Sequence, residues 1–116
     1  MIRIHEMKLN PESFNLIKER KKTVEIRLLD EKRKALRIGE QIEFSKRPEL
    51  TEKVLVEIID LKKLPDFQSL FEKFTITDFG YPEDFDKKTF LEDLYKIYPP
   101  EEEKLFGVIA IKIKSV

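Results

Sequence analysis

Five stretches of this chain have the composition of β-strands, two of them at its ends, and no regular strand–helix alternation joins them. Met1 to Leu9 is the first, with Ile2 and Ile4 alternating against Arg3 and His5 before Met7. Thr23 to Leu28 alternates with period two, so Val24, Ile26 and Leu28 point one way and Thr23, Glu25 and Arg27 the other. The turn signal Arg37-Ile38-Gly39-Glu40 leads into a strand over Gln41–Ser45. A loop from Arg47 to Glu52, carrying Pro48, precedes a long strand from Lys53 to Leu64 rich in Val, Leu and Ile. The last strand runs from Val108 to Ile113, after Gly107.

Helices are inserted between these strands. Asn10-Pro11-Glu12 is a helix start, Phe14 and Ile17 share one face, and the helix should end near Arg20. Pro65-Asp66 opens a second helix whose Phe67, Leu70, Phe71 and Phe74 keep i, i+3, i+4, i+7 spacing. A third is expected from about Asp86 to Tyr98, stopped by Pro99-Pro100. Asp30 to Leu36 reads as a short helix or a charged loop. The pattern predicts one α+β domain over residues 1–116, with about three helices and a mixed or antiparallel sheet. A small closed barrel is the natural way for such a sheet to hide its edges.

Composition removes several chemistries. Cysteine is absent, so disulfides, thiol catalysis and Cys-ligated metals are excluded. His5 is the only histidine, so a metal site would need carboxylates alone, and neither a metal nor another cofactor is expected. Gly39, Gly80 and Gly107 are too scattered for a phosphate-binding loop. Nothing marks Ser13, Ser45, Ser69 or Ser115 as a nucleophile. No apolar stretch is long enough to cross a bilayer and no secretory leader opens the chain, so no membrane association and a cytoplasmic location are expected.

The formal net charge is zero, but it is unevenly spread. Lys18 to Arg37 holds nine basic and four acidic residues, whereas Asp78 to Glu103 holds three basic and nine acidic ones. A dipolar chain of this kind can offer a basic face to a phosphate-bearing ligand.

The most informative run is Arg20-Lys21-Lys22-Thr23-Val24-Glu25-Ile26-Arg27. It sets Lys22 at a helix-to-strand connection and puts Glu25 and Arg27 on one strand face. An amine, a carboxylate and a guanidinium converging near a barrel mouth can bind a polar ligand, because Arg reads planar acceptors and Lys adds a movable cation. On spacing alone, an exposed ion-pair face on a strand edge is the favoured reading.

This run resembles the G-x-K-x-x-E-x-R signature of ASCH domains, small relatives of the RNA-binding PUA barrel. Lys22, Glu25 and Arg27 fall on its polar positions, and Arg20 stands where the family usually has Gly. The segments HEMKLNPESFNLIKERKKTVEIR, LRIGEQIEF and KIYPPEEEKLFGVIAIKI are similar to those of small prokaryotic ASCH proteins. The resemblance implies a PUA-like barrel of about five or six strands with flanking helices, and a role with RNA or a modified nucleoside. One branch of similar length hydrolyses N4-acetylcytidine with a Lys proton acceptor, a Thr nucleophile three residues later and a downstream Glu proton donor. By that resemblance the candidate catalytic residues are Lys22, Glu25 at the nucleophile position, and Glu83 as donor. An RNA-cleaving hydrolase is a further alternative. The leading expectation is a binding module whose ligand contacts come from Arg20, Lys21, Lys22, Glu25 and Arg27. Lys46 and Arg47 in the hairpin loop could extend the basic face, and Tyr81 and Tyr98 could stack on a base.

Overall fold

The computed structural model describes residues 2–116; Met1, at the start of the expected first strand, lies outside the described residues. In chain order the elements are β1 (Ile4–Leu9), α1 (Pro11–Lys18), β2 (Val24–Leu28), α2 (Glu31–Lys34), β3 (Gln41–Lys46) and β4 (Lys53–Leu64). They continue with α3 (Leu70–Lys73), a 3-10 turn (Ile76–Asp78), α4 (Lys87–Ile97), α5 (Pro100–Phe106) and β5 (Val108–Ser115).

The strands form one mixed sheet in the order β1-β3-β4-β5-β2. β1 runs parallel to β3, and the other three pairings are antiparallel. The sheet curls into a half-barrel of PUA-like form, with β1 and β2 as its two edges. Closure stops one ladder short, and side chains take over there: Arg27 Nη2 of β2 donates to Lys8 O of β1 at 2.9 Å, and Lys32 Nζ to Glu6 O at 3.3 Å. Edge carbonyls are satisfied in this way without a neighbouring strand.

Alternation along the strands divides the apolar residues into two clusters. Phe14 and Ile17 of α1 fill the concave side with Ile42, Phe44, Ile58 and Ile111. On the convex side Val24, Ile26, Leu28 and Val108 pack under Phe67, Phe79 and Phe90.

Local signals explain most element starts. Asn10 Oδ1 accepts from Ser13 N at 2.8 Å, capping α1 with Pro11 in its first turn. Asp30 caps α2 and Asp86 caps α4 in the same manner. The helix expected from Pro65 is reduced to the single turn Leu70–Lys73. Asp66 Oδ1 accepts from Ser69 N at 2.9 Å in an Asx turn, and Glu103 Oε2 accepts from Phe67 N at 2.8 Å, so backbone groups that a helix would use are already engaged. The sequence predicts that Pro99-Pro100 ends the third helix, and it does, but Pro100 also starts α5, since proline suits a first turn. Among the described residues there are thus five α-helices where about three are expected, two of them only four residues long.

Candidate functional site

The site is built where α1 turns into β2. Arg20 N donates to Ile17 O, while Lys21 N and Lys22 N both donate to Leu16 O at 2.9 and 3.1 Å. This reversal requires a left-handed residue, and Arg20 supplies it at φ +63°. Arg20 therefore keeps the turn that glycine makes in the signature, at a backbone cost of about 1–2 kcal/mol. Lys22 next bridges to Phe79, and Thr23 N donates to Asp78 O at 2.9 Å, which fixes the following turn against the strand. Gly80 sits in that turn at φ +92°, and a Cβ there would lie 3.0 Å from Leu16 Cδ1 and 3.2 Å from Lys22 Cβ. Only glycine allows so close an approach.

β2 then aims Glu25 and Arg27 to the concave side, where their antiparallel partners Ile111 and Ile109 also point. Glu25 Oε1 accepts from Ile26 N at 3.1 Å and lies 2.9 Å from Lys22 Nζ. Its Oε2 accepts from Arg27 Nε at 2.9 Å and lies 2.9 Å from Nη2. The carboxylate side chain is only 4% exposed, and those of Lys22 and Arg27 are 11% and 12% exposed. These are buried charges rather than an exposed ion-pair face. Burial alone would raise the Glu25 pKa. The Lys22 and Arg27 cations, through charge and hydrogen bonds, outweigh it and hold the group at about 2. The Arg27 pKa is raised: burial pushes it down, and the charge of Glu25 more than compensates.

The donor count around this carboxylate decides its role. Glu25 accepts two hydrogen bonds, from Ile26 N and Arg27 Nε, and both cations lie within ion-pair distance of its oxygens. It is enclosed by its own partners, so it orients the two cations. Arg27 Nη1, in contrast, has no protein acceptor among the described residues. Lys22 commits one further contact, to Ser13 Oγ at 3.4 Å, and retains a third N–H. The site thus presents free donors from a fixed frame.

These donors face a cavity of about 280 Å³ between α1, β2 and the segment from Phe79 to Tyr98. Lys22, Glu25, Arg27, Arg47, Tyr81 and Tyr98, all expected from the sequence, line it together. Tyr98 stacks on Phe67 with centroids 5.7 Å apart and directs its hydroxyl to Ile26 O at 3.5 Å. Tyr81 packs on Phe85 at 4.5 Å. Burial raises the pKa of both phenols, with Arg27 and Glu25 pulling Tyr98 in opposite directions. Arg47 is exposed, and its N–H donates to Leu9 O at 2.9 Å, which ties the β3–β4 loop to the end of β1.

The other expected residues lie elsewhere. Arg20 lines a second cavity with Ile17, Lys22 and Thr23 and does not line the main one. Lys21 is exposed and pairs with Glu19 at 3.4 Å. Lys46 turns to Glu52 at 3.7 Å and lies 5.8 Å above the Phe14 ring. Glu83 is exposed and lines a different groove, with Phe71, Phe74 and Lys87, so it does not share a cavity with Lys22. Lys8, Asn10 and Ser13 line the Lys22 cavity without having been singled out for it. Only the proximity of β1 and α1 to β2 in space brings them there, and a linear motif does not encode that. Among the described residues, no group of three or more His, Asp or Glu side chains could hold a metal ion, and no helix is long and apolar enough to cross a membrane.

A half-open PUA-like barrel with a Lys-Glu-Arg triad at its seam defines the class of this protein. The ASCH domain family model matches residues 7–116, and the chain belongs to that family. It is similar to the crystal structure of hypothetical protein PH0355, at 30% identity and TM-score 0.85, covering 98% of this chain and 100% of that one. It is also similar to the solution structure of protein PF0455 from Pyrococcus furiosus, at 29% identity and TM-score 0.73, covering 98% of both chains. The crystal structure of ASCH from Zymomonas mobilis shares the fold at 13% identity and TM-score 0.67, covering 97% of this chain and 67% of that one. A comparison with curated proteins finds no match.

Proposed function

We propose that this protein is a binding module, one domain over residues 1–116, that seats a nucleobase of RNA or of a modified nucleoside in the Lys22–Glu25–Arg27 cavity. The observation that carries the reading is the enclosed Glu25 carboxylate, which fixes Arg27 and Lys22 so that Arg27 Nη1 and one N–H of Lys22 remain free in a cavity walled by Tyr81 and Tyr98. Such a frame selects a flat group rich in acceptors, and the carbonyl edge of a base supplies it. A volume of about 280 Å³ is near the lower end of the small-molecule pocket range, about 300–1,000 Å³. A cytoplasmic location, where such ligands occur, goes with this reading.

Nuclear magnetic resonance titration with the four ribonucleosides and with N4-acetylcytidine tests it. The expected result is saturable shifts at Lys22–Arg27, Tyr81 and Tyr98. Arg27→Lys should weaken binding about tenfold while the fold persists, because lysine keeps the charge facing Glu25 but lacks the second amino group. An absence of shifts with every nucleoside would remove the reading.

Hydrolysis is the second reading, and one contact favours it: Ser13 Oγ is the hydroxyl beside Lys22, at 3.4 Å. Against it, Glu25 stands at the nucleophile position with its oxygens fully engaged, and Glu83 lines another groove. Incubation with N4-acetylcytidine or with RNA is expected to return both intact. Release of cytidine or RNA fragments that disappears in Lys22→Ala would make hydrolysis the function.

A further inference from the structure

A second groove, of about 420 Å³, runs beside the cavity, and the two share Lys8, Arg27 and Arg47. Lys32, Arg33 and Lys53 also line it, which gives six cationic side chains against a single carboxylate, Glu6. They come from β1, β2, α2 and the β3–β4 hairpin, so the groove follows the open edge of the barrel. Several of its charges are uncompensated. Among the described residues, Lys8, Lys32 and Arg47 have no carboxylate within ion-pair distance. Arg33 pairs with Asp30 at 3.0 Å, yet its Nε is buried without a hydrogen-bond partner among the described residues.

We infer that this groove is a phosphate track: the ligand is a single-stranded nucleic acid whose base occupies the cavity while its neighbouring phosphates pass over Lys8, Arg47, Lys32 and Lys53. The inference rests on the base-seat reading and adds a substrate class, a phosphate-bearing strand rather than a free nucleoside. It also gives the strand a direction of exit. The basic cluster most visible in the sequence, Arg20-Lys21, is not on this path, since Arg20 lines another cavity and Lys21 pairs with Glu19. Arg27 joins the two subsites, with Nε and Nη2 engaged by Glu25 and Lys8 O, and Nη1 free. A duplex would present its bases stacked inside, whereas a single strand can deliver an unstacked base to a cavity and leave its backbone outside.

The test measures binding of free ribonucleosides, their 5′-monophosphates and a short mixed-sequence single-stranded RNA at about 50 and 200 mM salt. Wild type is compared with Lys32→Glu/Lys53→Glu, which changes two exposed side chains outside the cavity, and with the milder Lys32→Ala/Lys53→Ala as a check on folding. The track predicts RNA binding at least tenfold tighter than nucleoside binding, and steeply weakened by salt. The charge reversal should cost RNA at least tenfold and reduce the salt slope by roughly 1.4, about 0.7 for each lost phosphate contact. Nucleoside affinity should stay unchanged. RNA that binds no tighter than nucleoside, or equally well to the folded double variants, overturns the track and leaves the base seat standing. Groove-dependent RNA binding with no nucleoside binding supports the track and removes the base seat. Equal affinity for phosphatidylserine vesicles or for polyglutamate would overturn the assignment to nucleic acid.

Discussion

On one side of β2, Val24, Ile26 and Leu28 pack against Phe67, Phe79 and Phe90; on the other, Glu25 and Arg27 are buried with Lys22 around a cavity. Both sides exclude most water, but for different energetic reasons. Each apolar side chain contributes roughly 1.5–3 kcal/mol by leaving water. The charged side recovers by pairing what it loses in desolvation, and a triad of this kind is often no more stable than apolar residues of the same volume. The apolar side accounts for the fold. On the proposed reading, the charged side is kept for what it holds, since its free donors face a cavity.

Glu25→Ala should break this contrast most severely, because it leaves two cations buried without a counter-charge. The expected loss is about 3–5 kcal/mol, read from denaturant unfolding. Acid provides a milder version of the same change. Folding lowers the Glu25 pKa from 4.5 to about 2, so the unfolded chain takes up the proton first. The stabilisation is complete above the unfolded pKa and is lost as pH falls from about 5 towards 2, on the order of 3 kcal/mol in all. In Glu25→Gln that part of the acid limb should be flat.

Smaller changes sharpen the comparison from the apolar side and from the turn. Ile26→Val should cost about 1 kcal/mol, because Ile26 points into the convex cluster. Arg20→Gly should stabilise by a few tenths of a kcal/mol to about 1 kcal/mol. It relieves the left-handed backbone at φ +63°, partly offset by the extra freedom of glycine in the unfolded chain. Thermal unfolding reads both.

Period-two alternation was enough to put Glu25 and Arg27 on one face and Val24, Ile26 and Leu28 on the other, and Lys53–Leu64 forms the strand its composition predicts. What covers the face of Glu25 is not local information. The enclosed carboxylate depends on Arg27 curling back two residues and on Lys22 arriving from the turn. Lys8 and Ser13 come from elements well before β2 in the chain, and Lys53 reaches the groove from the far side of the β3–β4 hairpin. Apolar spacing after Pro65 predicts which residues are buried better than it predicts helix, because Phe67 and Leu70 are fully buried around a bend whose backbone groups side chains satisfy. The placement of Glu83 illustrates the same limit. The resemblance fixes a position in the chain, while the path after Gly80 and Pro82 decides which groove it enters.

The charged seam is best tested by replacing all three groups at once, Lys22→Met with Glu25→Leu and Arg27→Met, and measuring unfolding free energy and RNA affinity on the same protein. If the triad is there for its ligand, stability should be equal to or above that of the wild type, and binding should disappear. A protein that loses several kcal/mol yet still binds RNA as before would show the seam to be a structural brace and contradict the account.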